Sequence, residues 1–370
     1  MDTVSLERAA PGIAPAVQAG IADCDIHPVP ASLEREVYPF LDQRWQANLE
    51  TFGAFLRVGL QSGSPYMKGQ PDAARADAWP PGGGRPGSSL DFMRKQHLDP
   101  NNVRLGILNP LRGGHGIQNL DLAAAFATAI NKWQVEHWTS RDDRLKASVV
   151  VPSEDGAASA REIDRWAGNP HFAQVLLLSR TADPLGSRRY WPIYEAAARA
   201  DLPVAVHAFG FSGYPATGGG WPSFYLEEMC SHAQSSQSVL TSMVVEGIFA
   251  RWPKLRVVMV ESGFGWLPPL AWRLDKIWKR LKQETPHLTR LPSEYIHDHV
   301  WISTQPMEEP EPREHAVDTI DWIGWDRVMF ATDYPHWDYD DPMQALPVRL
   351  GETQRRDFLL NNALRLYGKA

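Results

Sequence analysis

The sequence predicts an α/β fold, a (β/α)8 TIM barrel with a long insertion after the first strand. Three observations lead there. Short apolar runs rich in Val, Ile and Leu recur eight times, separated by longer segments whose apolar residues follow helical spacing. The runs do not alternate apolar with polar residues, as expected of parallel strands covered on both faces. No glycine-rich phosphate loop follows the first run, which places a doubly wound open sheet below a closed barrel.

The first predicted strand is Ile21–His27, behind a tail of residues 1–20. The others are Arg104–Leu108, Leu145–Val151, Ala173–Leu178, Pro203–His207, Arg256–Glu261, Val300–Ser303 and Arg327–Asp333. Between the first two lies the insertion, 28–103, which opens with a predicted helix from Leu33 to about Glu50. Its segment WPPGGGRPGSS, Trp79–Ser89, excludes both helix and strand. Insertions of this length form lids or oligomer contacts. Leu120–Thr139 reads as a helix with Leu122, Phe126, Ile130 and Trp133 on one face, followed by Ser159–Trp166 and Tyr190–Ala200. Pro203 ends the last of these and starts the fifth strand. The loop Phe209–Pro222, rich in Gly and aromatics, would lie over the mouth of a barrel. With no repeat and no linker, residues 1–370 read as one domain.

Apolar residues make up 43% of the chain, enough for a large core, and the net charge of −7 with no basic patch argues against a nucleic-acid partner. Two cysteines, Cys24 and Cys230, make no disulfide framework and suit a reducing compartment. The N-terminus carries no apolar signal region, and no run reaches membrane-spanning length. The expectation is a cytoplasmic protein with no membrane partner. Tryptophans such as Trp133, Trp138, Trp272 and Trp278 read as helix-to-barrel and helix-to-subunit packing. Together with the insertion they predict an oligomer, either of identical subunits or with a homologous subunit.

Polar residues stand at the ends of these strands. Asp25 and His27 end the first, His207 the fifth, Glu261 the sixth and Asp333 the eighth. A barrel gathers such positions at one face. Asp25 and His27, at i and i+2 of a strand, point the same way and can reach one ion. Carboxylates and imidazoles gathered at one point form the ligand set of a divalent metal, since clustered carboxylates repel one another unless a cation lies between them.

Several segments carry a resemblance. Asp25-Ile26-His27 with Pro30 resembles the first-strand metal motif of the amidohydrolase superfamily. The likeness is to its amidohydrolase-related group, which includes aminocarboxymuconate semialdehyde decarboxylase and the resorcylate-type decarboxylases. PVAVHAFG resembles the fifth-strand histidine motif, and EGIFARWPKLRVVMVESGFGWLPPLAWRLD the block spanning the sixth strand and its helix. FATDYPHWD resembles the eighth-strand aspartate motif and NNALRLYG the C-terminal helix. Two positions depart from the pattern: Asp25 replaces the first His of His-x-His, and Glu261 stands where several members carry His.

The resemblance implies one or two divalent ions, Zn, Mn or Fe, that bind water or the carboxylate of a small-molecule substrate. Asp25, His27, His207, Glu261 and Asp333 are the candidate ligands. The extra carboxylates suit Mn(II) and Fe(II) as well as Zn(II). Glu261 is alternatively an acid or base, or an acceptor for the turn that follows it. Asp333 is the candidate proton shuttle. His232, on a polar helix expected to face solvent, is a candidate acid, base or ligand to a second ion. His336 and Phe209 are candidate substrate contacts. Arg273 and Asp275 read as an ion pair, His297 and His299 as structural groups at the opposite barrel end, and Glu308 and Glu309 as the start of a helix. The implied activity is hydrolysis or decarboxylation of a small organic molecule. Two other readings stay open: a dinuclear Fe or Mn enzyme that activates oxygen, and a non-catalytic subunit whose metal only staples the barrel.

Overall fold

A computed structural model of the chain describes residues 20–53, 73–115, 117–208, 215, 217–346 and 348–368. Eight parallel strands follow one another around a single sheet in chain order: β1 (Ile21–Ile26), β2 (Val103–Leu108), β3 (Leu145–Val150), β4 (Phe172–Leu178), β5 (Val204–His207), β6 (Val257–Val260), β7 (Val300–Ser303) and β8 (Val328–Met329). The ring closes through the backbone. Cys24 N–H donates to the Phe330 carbonyl at 3.1 Å, Asp333 N–H to Asp25 at 3.1 Å, and His27 N–H to Tyr334 at 2.8 Å. These bonds continue β8 as an extended segment past its regular two residues, so the predicted end at Asp333 stands beside β1.

The continuous apolar runs are buried on both faces, as their composition requires. Helices Leu120–Gln134, Gly156–Trp166, Trp191–Arg199, Tyr225–Val245, Leu267–Leu281 and Glu314–Ile323 follow β2 to β7 respectively. Asn119 caps the first by accepting from Leu122 N–H, and Asp155 the second by accepting from Ala158 N–H. Trp133 and Trp138 are buried against the barrel, whereas Trp272 is 57% exposed.

The single helix expected from Leu33 to about Glu50 is two pieces, Leu33–Glu36 and Gln43–Phe52. Pro39 lies in a 3-10 turn between them, where its missing N–H and fixed φ do not sustain one continuous helix. The described parts of the insertion return to the barrel mouth. Val29 N–H donates to the Gly87 carbonyl at 2.9 Å. Gly87 has φ 77°, and a Cβ there would lie 2.3 Å from the His27 carbonyl oxygen, so only glycine permits this approach. Ala74 pairs with His336, and Arg75 N–H donates to Pro335.

Candidate metal centre

The strand-end residues converge. Single donor atoms of Asp25, His27, His207 and Glu261 all lie within 4.8 Å of one another, and so do those of His27, Glu261, Asp333 and His336. His27 Nε2 is 3.2 Å from Asp25 Oδ1 and 2.7 Å from Asp333 Oδ1. His207 Nε2 is 2.6 Å from Glu261 Oε2 and 3.5 Å from Asp25 Oδ2. Asp25, His207 and Asp333 are wholly buried.

The backbone at two of these positions is unusual. Glu261 has φ 52° and Asp333 φ 63°, a left-handed conformation that costs a non-glycine residue of order 1 kcal/mol or more. Each carboxylate ends its strand in that conformation, which turns the side chain to the mouth while the chain leaves for the next helix.

Neighbouring groups orient the donors. The Asn109 carbonyl lies 2.7 Å from His27 Nδ1, and a carbonyl only accepts. Nδ1 therefore carries the proton, and Nε2 presents its lone pair to the centre. The Asn109 side-chain amide donates to Asp25 Oδ1 at 2.8 Å, while its own oxygen accepts from Ser148 Oγ and Gln174 Nε2. Tyr367, in the C-terminal helix Asn362–Tyr367, donates to Gln174 Oε1. Asp23, two residues before Asp25 on the same strand face, accepts from Thr332 and contacts His97 Nε2 at 2.8 Å, tying β1 to the β8 segment. His336 Nδ1 stands 2.6 Å from Asp333 Oδ1, and its ring stacks on His27 at 4.5 Å between centroids.

The electrostatics describe a pocket in which buried carboxylates and imidazoles shift one another strongly. Burial pushes the Asp25 carboxyl up, but the His27 and His207 rings outweigh it and hold it below the ordinary range. Burial pulls His207 down, yet Glu261 and Asp25 lift it to about 10. Burial raises Glu261, and His207 brings it back to about 2. Burial and then Glu261 drive Asp333 well above the ordinary carboxylate value. Three carboxylates thus crowd one point and raise the cost of one another's charge, a repulsion that a divalent ion relieves. Asp25 Oδ2, His27 Nε2 and Glu261 Oε2 have no hydrogen-bond partner among the described residues, although each is buried. Orphaned oxygen and nitrogen donors aimed at one point fit a divalent cation.

The amidohydrolase family profile matches residues 22–369. The chain belongs to the amidohydrolase family. This amidohydrolase is similar to the gamma-resorcylate decarboxylase of Rhizobium sp. strain MTP-10005, with 24% identity over 320 residues, 75% of this chain and 93% of that one. Among solved structures, an amidohydrolase from Mycobacterium avium subsp. paratuberculosis K-10 superposes with TM-score 0.67 at 22% identity, covering 94% of this chain and 98% of the other. A dihydroxybenzoic acid decarboxylase from Polaromonas sp. JS666, solved with manganese and the inhibitor 2-nitroresorcinol, gives 0.66 at 18% identity over 94% and 97%. The amidohydrolase is a metal-dependent enzyme of this superfamily, and its donor cluster could hold a divalent ion.

The structure places four further residues singled out in the sequence, His232, Glu308, Asp275 and His299. His232 does not face solvent: it is buried on the inner face of Tyr225–Val245, Nδ1 3.6 Å from Glu261 Oε1. Glu308 starts no helix, the next beginning at Glu314. It instead accepts from Phe264 and Gly265 N–H, which occupies the turn that Glu261 was an alternative acceptor for. Asp275 accepts from Ser293 N–H and Oγ, so its partner is the start of helix Pro292–His299 and not Arg273. His299 contacts the Leu255 carbonyl ahead of β6, away from the mouth. Phe209 lies outside the described residues.

Sequence reasoning passed over Asp23 and Asn109. Asn109 directly follows the apolar run of β2, the same placement that singled out the other strand-end residues. It was less visible because a neutral amide is rarely a metal donor. Arg180, just past β4, is also buried. Burial lowers its pKa to about 10, and its guanidinium carbon stands 5.9 Å from the Trp221 ring centre.

Proposed function

We propose that the protein is a divalent-metal-dependent decarboxylase of a small carboxylic acid. The observation that carries this reading is the convergence of Asp25, His27, His207 and Glu261 within 4.8 Å, with Asp333 2.7 Å from His27 Nε2. The match to decarboxylases along nearly their whole length favours decarboxylation over the hydrolysis open to the same site. The manganese in structural neighbours, together with the oxygen-rich donor set, favours Mn(II).

A divalent ion held by these residues would supply a Lewis acid for a substrate carboxylate or carbonyl. Asp25, His27 and His207 would hold it, and Asn109 keeps the first two in register. Asp333 moves the proton: as the carbon–carbon bond breaks and carbon dioxide leaves, the electron pair on carbon takes a proton from the carboxyl. His336, at 2.6 Å from Asp333 Oδ1, orients that carboxyl and borders the substrate. His232 acts through Glu261. The described parts of the insertion 28–103 meet the mouth at Gly87 and Ala74, where they border the site.

A second reading has one observation in its favour. Two overlapping donor groups share His27 and Glu261, and the second adds Asp333 and His336. A dinuclear Fe or Mn centre would draw on Asp333 and His336 for the second ion.

The test is to strip the protein, reload it with Mn(II), Zn(II) or Fe(II), and follow release of labelled carbon dioxide from carboxyl-labelled hydroxybenzoates, 2,6-dihydroxybenzoate first. Metal-dependent release from one member is expected. Hydrolysis of ester or lactone probes with no carbon dioxide from any acid would overturn the decarboxylase reading. Two ions per chain with oxygen uptake would establish the dinuclear one.

A further inference from the structure

β7 contributes no residue to either donor group, yet the loop that follows it is bonded to both neighbouring strand ends. On the β6 side, Glu308 accepts from Phe264 N–H at 3.0 Å and from Gly265 N–H, and Gly263 N–H donates to the Gln305 carbonyl at 3.5 Å. A Cβ at Gly265 would lie 2.9 Å from Glu308 Oε2, so glycine there admits the carboxylate to the turn. On the β8 side, Thr304 N–H donates to the Met329 carbonyl at 3.0 Å, and Met307 N–H to Asp340 Oδ2 at 2.9 Å. Tied on both sides, the segment 304–308 has little freedom, and the Gln305 side chain is wholly buried within it.

That side chain reaches the metal centre. Gln305 Nε2 lies 3.2 Å from Asp333 Oδ2, 3.2 Å from Asp338 Oδ2 and 3.3 Å from the Asp338 carbonyl oxygen. Carboxylate and carbonyl oxygens accept, so the nitrogen end of the amide faces them, and its two hydrogens serve Asp333 and Asp338 together. The other Asp333 oxygen, Oδ1, stands 2.7 Å from His27 Nε2 and 2.6 Å from His336 Nδ1. Contacts on both oxygens fix the plane of the carboxyl. Gln305 Oε1, by contrast, is buried with no hydrogen-bond partner among the described residues. A vacant buried acceptor costs stability, so packing alone would favour an apolar side chain here.

We propose that Gln305 is a positioning residue of the metal centre, its amide setting the plane of the Asp333 carboxyl and so the oxygen that Asp333 presents to an ion. It acts through Asp333 and need not touch substrate. The inference rests on the metal centre, not on the reaction carried out there.

The test uses full-length protein, stripped and reloaded, with two readouts. Mn(II) affinity is measured by competition with a metal indicator, and the visible spectrum of Co(II) is recorded at saturating metal. Wild type, Gln305→Met, Gln305→Asn and Asp333→Asn are compared well below each melting temperature. Gln305→Met fills similar space without a donor. It should weaken Mn(II) about tenfold and move the Co(II) bands towards those of Asp333→Asn. Gln305→Asn keeps the amide but withdraws it by one methylene, and the same two changes are expected, so the test survives if the methionine variant does not fold. Wild-type affinity and spectrum in the Gln305 variants overturn the proposal. Weaker affinity with an unchanged spectrum also overturns it, because that is general loosening and not a turned carboxyl. If Asp333→Asn itself matches wild type in both readouts, Asp333 is not at the ion and the inference falls with that assignment. Neither readout involves carbon dioxide, so failure of the decarboxylase reading leaves the inference standing.

Discussion

His27 donates its Nδ1 proton to the carbonyl of Asn109 at 2.7 Å, and the Asn109 amide holds Asp25 at 2.8 Å, so one asparagine sets both first-strand donors. Groups that orient ligands typically govern affinity by about 10–100-fold. Asn109→Leu removes the amide bond to Asp25 and strands Ser148 Oγ and Gln174 Nε2. It should weaken Mn(II) binding by roughly that factor while the barrel stays folded, as measured by competition with a metal indicator and by circular dichroism. Unchanged affinity would show that Asp25 is held by the backbone alone.

His207→Ala should remove most of the bound metal. The ring is wholly buried at the end of β5, between Asp25 and Glu261, and no other imidazole can take its position without moving a strand. Elemental analysis of protein purified without added metal gives the answer, and full occupancy would exclude His207 as an essential ligand.

Glu261→Gln keeps the shape but removes a charge that sits 2.6 Å from His207. Glu308 accepts from Phe264 and Gly265 N–H in the following turn, while Glu261 contacts His207. We expect lower metal content or a shift from Mn(II) and Fe(II) towards Zn(II), read by elemental analysis. Unchanged content, identity and activity would make Glu261 structural and remove the main support for a two-ion centre.

Asp142 lies at the opposite end of the barrel from the metal, ahead of β3. It accepts from Arg144 Nε and NH2 and from Arg94 Nε, and these bonds hold its carboxyl far below the ordinary value. The folded pKa lies below the unfolded one, near 3.9. The stabilisation is therefore present at neutral pH and is lost as pH falls below about 4 towards the folded pKa. Asp142→Asn should cost about 1–2 kcal/mol at pH 7. Denaturant titrations at pH 7 and pH 3 should show the gap between variant and wild type narrowing at acid pH. A gap that widened would refute the assignment.

Helix Leu267–Leu281 leaves Trp272, Ile277 and Leu281 exposed, and Phe224 and Leu226 are exposed beside the mouth. Apolar area of this kind marks a partner surface. Sedimentation at micromolar concentration should show a dimer or larger species, whereas a single 41.5 kDa species would count against an oligomer.

The sequence alone determined the barrel and most of its centre. Strand-forming runs covered on both faces must be continuously apolar, so a charged or imidazole side chain at the end of such a run stands out, and Asp25, His27, His207, Glu261 and Asp333 each do. Tertiary structure decided what depends on distance between elements far apart in the chain. His232 read as a solvent-facing residue of a polar helix, because the helix has little apolar contrast to show which side faces in. Only packing against the barrel places it 3.6 Å from Glu261. Glu308 matched a helix start by charge, yet it caps the amides of a turn more than forty residues earlier. Asn109 carries no charge pattern or spacing that marks it. Its role comes from the place of β2 between β1 and β3, which lets one amide bond Cys24 and Asp25 on one side and accept from Ser148 on the other.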